Sequence, residues 1–174
     1  GTAAPSLHAT PFPAEIPAPP TLGVDQDGAA VQVPRAGRPA LVTFLFSTCP
    51  DVCPLVSQEI AAALDDVGPA ATRGIDVVAV SVDPYGDTPK RVRAFLVAHH
   101  LAGRMRYIIG TRAQLQPLWK AWSIIAQPSG KATRSEHTAK VILVDAKGRQ
   151  VGAYPGGLPF STRDLADDIR ALER

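Results

Sequence analysis

Two almost unbroken apolar runs dominate the hydrophobic pattern of the chain, PALVTFLFS at residues 39–47 and IDVVAVSVD at residues 75–83. Continuous runs of this length are typical of central strands that are covered on both faces of a sheet. A shorter run at residues 104–110 predicts a further strand. Residues 23–33 and 138–156 each hold two apolar stretches around a glycine-containing turn, which predicts two β-hairpins.

The segments between these runs carry apolar residues at helical spacing. They predict four helices, at residues 55–68, 87–103, 111–124 and 161–174. Asp87 or Thr88 provides an N-cap for the second helix, and Pro89 suits its first turn. Pro117 lies inside the third helix, which we therefore expect to be bent or to begin late.

The resulting order of elements is β-β-α-β-α-β-α-β-β-α. Helices between buried strands imply parallel βαβ crossovers, and the closing hairpin adds an antiparallel edge. Two cysteines follow the first central strand directly. An α/β chain with this order and this cysteine position resembles the thioredoxin fold. We therefore expect a central mixed sheet flanked by helices, with an N-terminal hairpin and an extended tail.

Residues 1–22 are rich in Pro and Ala and have no apolar periodicity. Such a composition predicts an extended tail, which could lie partly on the body of the protein and would suit a stalk. The folded domain is then expected at residues 23–174. The opening residues lack a charged start and an apolar stretch, so no signal peptide is visible. We expect either a cytosolic protein or one whose targeting segment or anchor precedes residue 1.

Composition narrows the class of partner. The 174 residues suit one domain, and 45% of them are hydrophobic. The formal net charge is +2, from 18 basic and 16 acidic residues, and no basic block stands out. This balance gives no reason to expect nucleic acid or an anionic membrane as a partner. No apolar run approaches the roughly 18 residues that a membrane-spanning helix needs.

Cys49 and Cys53 are the only cysteines, and three residues separate them. A loop this short would stabilise the fold only weakly as a disulfide, so the pair favours chemistry. At the N-terminus of a helix, unpaired N–H groups favour the thiolate form of Cys49. Positions four apart on a helix have Cβ atoms about 5–6 Å apart, whereas a disulfide requires about 3.8 Å. The spacing therefore favours a metal, Cu(I) before Zn(II), without excluding a disulfide in the metal-free protein.

Two cysteines rarely complete a metal site, so a third ligand is needed. The candidates are several acids and the residues His8, His99, His100, Met105 and His137. Most have an ordinary structural interpretation, in the tail, at a helix end or at the start of a strand. His137 differs, since it ends a polar loop before a strand and that loop would lie at the same end of the sheet as the cysteines.

Asp83 and Asp87 lie in the stretch SVDPYGDTP, after the second buried strand. Capping of the following helix is one explanation for Asp87. Asp83, at the carboxyl end of a central strand, faces the crevice where ligands bind in open α/β sheets. Both acids are candidates for supporting the cysteine loop by hydrogen bonding.

Three motifs together resemble the Sco/SenC family of extracytoplasmic copper proteins. They are CPDVCP at residues 49–54, DPYGDTP at residues 83–89, and a histidine, His137, before a strand that ends in VDAKGR. The resemblance runs from about Leu22 to the C-terminus. It implies a thioredoxin-like fold and copper, as Cu(I) or Cu(II), bound by Cys49, Cys53 and His137.

The resemblance also implies a role and a location. Members assist assembly of the dinuclear copper centre of cytochrome c oxidase subunit II, by donating copper or by reducing that centre's cysteines. A copper-donor chaperone and a copper acceptor are the implied partners. Members are normally anchored in a membrane and face the periplasm or the mitochondrial intermembrane space. The alternative function is a thiol–disulfide oxidoreductase in which Cys49 is the nucleophile.

Overall fold

The computed structural model describes residues 6–126, 139–156 and 160–174. In these ranges, eight strands form one sheet in the order β1-β8-β7-β4-β5-β6-β2-β3. The strands are β1 (Thr10–Pro17), β2 (Thr21–Asp25), β3 (Ala30–Val33), β4 (Ala40–Leu45), β5 (Asp76–Ser81), β6 (Arg106–Ile109), β7 (Val141–Val144) and β8 (Arg149–Tyr154). The helices are α1 (Val52–Val67), α2 (Pro69–Arg73), α3 (Pro89–Ala98), α4 (Arg112–Ala121) and α5 (Thr162–Leu172).

The centre of the sheet confirms the predicted mixed α/β architecture. Strands β4, β5 and β6 run parallel, in the register Ala40↔Asp76 to Leu45↔Ser81 for the first pair. Strand β7 pairs antiparallel with β4 on its other side. All six residues of β4 are buried, because helices cover both faces of a parallel centre. The carboxyl ends of β4, β5 and β6 therefore lie at one edge of the sheet.

Helix starts follow the capping chemistry of the sequence. Thr88, rather than Asp87, caps α3 by accepting a hydrogen bond from the Arg91 N–H, which leaves the Asp87 carboxylate for other contacts. Helix α1 begins at Val52, three residues before the predicted start at residue 55.

Among the helices of the described ranges, none is long and apolar enough to cross a membrane.

Helix α4 does not begin late at Pro117, as the sequence suggested it could. It begins at Arg112, and the proline lies in its interior. Thr111 and Gln114 form a capping box that holds the first turn, and Trp119 anchors the following turn in the core. These contacts offset the hydrogen bond that proline cannot donate.

The predicted tail at residues 1–22 is extended where the structure describes it, but much of it belongs to the sheet. Thr10–Pro17 forms β1, which pairs antiparallel with β8, and the boundary at residue 22 falls inside β2. The prolines of β1 are compatible with an edge strand, where one side of the backbone has no partner strand. The closing hairpin is therefore covered by β1 and does not form the edge that we expected.

A buried carboxylate ties this N-terminal segment to the body. Asp168 of α5 is 1% exposed and accepts hydrogen bonds from the backbone N–H groups of His8, at 2.7 Å, and Ala9, at 2.9 Å. It also accepts one from the Tyr154 hydroxyl of β8. Burial and this bond to a carboxylate raise the pKa of Tyr154, so the phenol remains a donor.

We expect Asp168→Ala to lower the free energy of unfolding by about 3 kcal/mol, since three donors would lose their acceptor in a buried place. Urea denaturation would measure the loss, and limited proteolysis should show faster cleavage before β2. Asp167→Ala is the matched control: Asp167 is half-exposed and contacts His8 and Arg170, so its loss should be below about 1 kcal/mol. Equal losses in the two variants would contradict the anchoring role.

Candidate metal centre

The cysteine pair lies where β4 passes into α1. The Cys49 N–H donates to the Phe46 carbonyl at 3.1 Å, which closes a turn directly after β4. Cys53 lies in the first turn of α1, whose N-cap is Asp51. Both side chains are free thiols, Cys49 at 5% exposure and Cys53 at 0%. The predicted position of the pair, after a central strand and at a helix N-terminus, is thus the observed one.

The two sulfurs differ in environment. The Cys53 backbone N–H donates to Cys49 Sγ at 3.3 Å, so an unpaired amide of the first turn points at that sulfur. Hydrogen bonding from the Cys53 thiol, aided by backbone N–H groups and opposed by burial, lowers the pKa of Cys49 to about 7. Burial, together with its bond to Cys49, raises the pKa of Cys53. Cys49 is therefore the sulfur that ionises first, around neutral pH, while Cys53 stays a thiol.

Asp87 joins the cysteine loop to the centre of the sheet. Its carboxylate is buried and accepts from the Ser47 backbone N–H at 2.7 Å and the Ser47 hydroxyl at 2.6 Å. It also accepts from the Ser81 hydroxyl at 2.7 Å and the Tyr107 hydroxyl at 2.8 Å. Burial raises the pKa of Asp87, although the hydrogen bonds from Ser47, Ser81 and Tyr107 act against it. The sequence offered no signal for Ser47 or Tyr107 as partners of this acid.

Asp83 presents a buried oxygen towards the cysteine loop. Its Oδ1 accepts from the Tyr85 N–H at 3.1 Å, whereas its Oδ2 is buried without a hydrogen-bond partner in the described ranges. A Cβ added to Gly86 would lie 2.6 Å from that Oδ2 and 3.5 Å from the Thr48 hydroxyl. The unpaired carboxylate oxygen is thus near the residue before Cys49. Buried acceptors are normally satisfied, so this oxygen fits a site that receives a cation or a further donor.

His137 lies outside the described residues, so the predicted set of three ligands is not assembled here. Among the described residues, no group of three or more His, Cys, Asp or Glu side chains is arranged to bind a metal. His8 contacts Asp167, and His99 packs edge-on against Phe95 at 4.5 Å. Met105 is buried in the core. These contacts agree with the structural interpretation of the other candidate donors.

The geometry defines what the described part of the site can do. Two sulfurs lie side by side, one favoured as thiolate, at the positive end of a helix. Sulfur ligands suit soft cations, so the donor set fits such an ion, with one further ligand needed. The same pair can undergo thiol–disulfide exchange, because the thiolate is the nucleophilic form.

The sequence pattern of the SCO1/SenC family matches residues 12–173. The chain is also 34% identical over 139 residues to Protein SenC of Rhodobacter capsulatus. That alignment covers 77% of this chain and 58% of the relative, so this chain spans little more than half the length of that protein.

Two solved structures share the architecture. ScoI of Bradyrhizobium japonicum, determined with copper bound, is 28% identical with a TM-score of 0.74, and the match covers 90% of this chain and 99% of that one. BsSco, described as a member of the Sco family of cytochrome c oxidase assembly proteins, is 20% identical with a TM-score of 0.75. That match covers 95% of this chain and 98% of the other, and it supports the fold.

The environment of the cysteines predicts their titration. In the reduced, metal-free protein, thiolate absorbance near 240 nm should rise with a midpoint near pH 7, from Cys49. Cys53→Ala should move this midpoint upwards, because it removes the S–H donor that favours the thiolate. Cys49→Ser should abolish the step. A step near pH 7 that survives in Cys49→Ser would refute the assignment.

Tyr107→Phe tests the bonds to Asp87. We expect the free energy of unfolding to fall by about 2 kcal/mol at neutral pH, since a buried carboxylate loses a donor. The Tyr107 bond lowers the pKa of Asp87, so its stabilisation is present above that pKa and declines as the pH falls through it. Urea unfolding at neutral and acidic pH would measure this. The exposed Tyr85→Phe should change little, and a pH-independent loss in Tyr107→Phe would count against the mechanism.

Proposed function

This chain belongs to the SCO1/SenC family, and we propose that it is an extracytoplasmic copper metallochaperone that binds one copper ion through Cys49, Cys53 and His137. The observation that carries the proposal is the pair of buried sulfurs at the start of α1, with Cys49 favoured as thiolate. Thiolates favour soft or borderline-soft metal ions, Cu(I) before Zn(II). The copper-bound state of the Bradyrhizobium japonicum relative supports the choice of metal.

The chain connectivity supports His137 as the third ligand. Ala139, two residues later, donates its backbone N–H to the Phe44 carbonyl at 2.6 Å, near the end of β4. The cysteine loop leaves the same end of β4, and Cys49 is bonded to Phe46 there. Two residues span at most about 7 Å, so a ligand two residues before Ala139 is within reach of that end of the strand, which supports the choice of His137.

Asp83 and Asp87 are proposed as supporting residues that do not bind copper themselves. Asp87 holds Ser47, two residues before Cys49, and so limits the positions that the loop can adopt. The unpaired oxygen of Asp83 lies near Thr48 and adds negative charge beside the site. Carboxylates of this kind orient ligands and tune a metal through hydrogen bonds.

A site with three protein ligands allows transfer by ligand exchange. A thiolate of the acceptor can join the copper before one of the protein's own ligands leaves, so the ion is never without ligands. We propose the dinuclear copper centre of cytochrome c oxidase subunit II as the acceptor and a second copper chaperone as the donor, on the strength of the family resemblance. Copper binding requires deprotonated ligands, so affinity should fall as the pH drops.

A second function, thiol–disulfide reduction, is favoured by the asymmetry of the two thiols. The Cys49 thiolate would attack a partner disulfide and form a mixed disulfide, releasing one partner thiolate that takes up a proton. Cys53 would then lose its proton and displace the second partner sulfur. The partner gains two electrons and two protons, and Cys49 and Cys53 end as a disulfide.

Titration of the reduced protein with Cu(I) in competition with a chelator tests the copper proposal. We expect one equivalent to bind tightly to the wild type. Cys49→Ser, Cys53→Ser and His137→Ala should each weaken binding by more than the roughly 10–100-fold that changes outside the ligand shell cause. His8→Ala is the matched control and should retain the wild-type affinity, because His8 contacts acids of α5.

The same variants separate the two functions. In the Cu(II) form, a thiolate-to-copper charge-transfer band should be lost in either cysteine variant and altered in His137→Ala. If His137→Ala binds copper as tightly as the wild type while the reduced protein rapidly reduces a partner disulfide, the oxidoreductase function is the correct one.

A further inference from the structure

Five arginines converge on one cavity at the end of the sheet that is remote from the cysteines. The cavity has a volume of about 230 Å³ and is called here the arginine cavity. Its arginines come from four separate stretches of chain, namely the β3–β4 loop, helix α2, the loop before β6, and β6 itself; they are Arg35, Arg38, Arg73, Arg104 and Arg106. This clustering is produced by the fold, since no basic block exists in the sequence.

The arginine cavity is separate from the candidate metal centre. Asp76, the first residue of β5, lines the cavity, whereas Ser81, the last, bonds to Asp87 beside the cysteine loop. A strand of this length rises about 17 Å between its first and last residues. A ligand in the arginine cavity would therefore leave the cysteine end of the sheet accessible.

Among the described residues that line the cavity, Asp76 is the only carboxylate, and it is already engaged. Arg35 donates two hydrogen bonds to the Asp76 carboxylate, one of them from Nε to Oδ2 at 2.8 Å. Arg38 donates a third, from Nε to Oδ1 at 3.2 Å. Burial alone would raise the pKa of Asp76, but the two guanidiniums hold it below its usual value. Two positive charges thus share one negative charge, and Asp76 also fixes both arginines in place.

Charges around the rim reduce the positive excess without removing it. Arg106 pairs with Asp25, Arg104 pairs with the exposed Asp65, and Glu173 faces Arg38. Together with Asp76, the facing carboxylates are Asp25, Asp65, Asp76 and Glu173. Four carboxylates therefore face five guanidiniums, and only one of the four lies inside the cavity.

Arg73 supplies the unpaired positive charge. In the described ranges its guanidinium has no hydrogen-bond or ion-pair partner, whereas the other four arginines each have one. Its backbone carbonyl accepts a hydrogen bond from Arg38 Nη2 at 2.6 Å, which holds the end of α2 against the β3–β4 loop. The cavity therefore combines arginines fixed in place with a guanidinium that is available to a ligand.

We propose that the arginine cavity binds a phosphate group. Guanidinium forks match the oxygens of phosphate, and a tetrahedral anion can accept hydrogen bonds from several directions at once. Arginines that reach the cavity from four stretches of chain suit such an anion better than they suit a planar carboxylate. The small volume admits a phosphate group but no folded partner. The group can belong to a free anion or to the headgroup of an acidic phospholipid.

The proposal is tested by titrating the wild-type protein with inorganic phosphate, followed by NMR of the backbone amides. Saturable shifts are expected at residues that line the cavity. Arg73→Gln should weaken binding by about tenfold, since a charge-assisted hydrogen bond is lost. Arg163→Gln, at an exposed arginine of α5 outside the cavity, is the matched control and should bind like the wild type. Because neither side chain has a hydrogen-bond or ion-pair partner among the residues that the structure describes, both variants should unfold like the wild type in urea.

A second measurement distinguishes the two sources of phosphate. Flotation with phosphatidylglycerol vesicles should recover the wild type and Arg163→Gln, but less of Arg73→Gln, if the headgroup is the ligand. Binding of free phosphate that depends on Arg73, without such recovery, would identify a soluble anion. Absence of Arg73-dependent binding in both measurements, or an equal loss in Arg163→Gln, would overturn the proposal. Cys49→Ser should behave like the wild type throughout, which separates this site from the copper proposal.

Discussion

The arrangement of the cysteine end of the sheet depends on the hydrogen bonds that the Asp87 carboxylate accepts. The carboxylate accepts hydrogen bonds from Ser47 after β4, from Ser81 at the end of β5 and from Tyr107 in β6, so one buried acid links three parallel strands. Burial of this carboxylate is unfavourable in isolation, and its pKa is raised accordingly. The hydrogen bonds from Ser47, Ser81 and Tyr107 offset that cost. Ser47 is held through both its backbone and its hydroxyl, two residues before Cys49. The position of the first sulfur is therefore tied to the core of the sheet.

The asymmetry between the two sulfurs follows from this position. Cys49 lies just outside the first turn of α1 and receives an N–H from it, whereas Cys53 lies within the turn and is fully buried. One thiol is thereby favoured as thiolate while the other remains protonated and donates to it. Both proposed functions use this same pair: copper binding needs both sulfurs deprotonated, and disulfide exchange needs them in turn. The ion or the partner disulfide decides which of these chemistries takes place.

The two ends of the sheet have opposite chemical character. The carboxyl ends of β4, β5 and β6 carry sulfur and buried acids, and the amino ends of β5 and β6 adjoin a cavity lined by arginines. A net charge of +2 does not reveal this clustering, because the total charge does not say where in the fold the arginines and their carboxylate partners lie. The sequence argument about anionic partners rested on the total charge and on the lack of a basic block, so it did not address a cluster of arginines that only folding assembles. Local charge is a property of the fold and not of the composition.

The sequence by itself determined the mixed α/β sheet, the four long helices and the place of the cysteines, because apolar periodicity, capping residues and motif spacing are local signals. Only the tertiary structure decided that Thr10–Pro17 joins the sheet, since a proline-rich segment has no local strand signal and pairs through β8. It also decided that Asp87 bonds to Tyr107, twenty residues away, and that Arg35 meets Arg104 at one cavity. Contacts between distant residues depend on strand order and register, which no local pattern encodes.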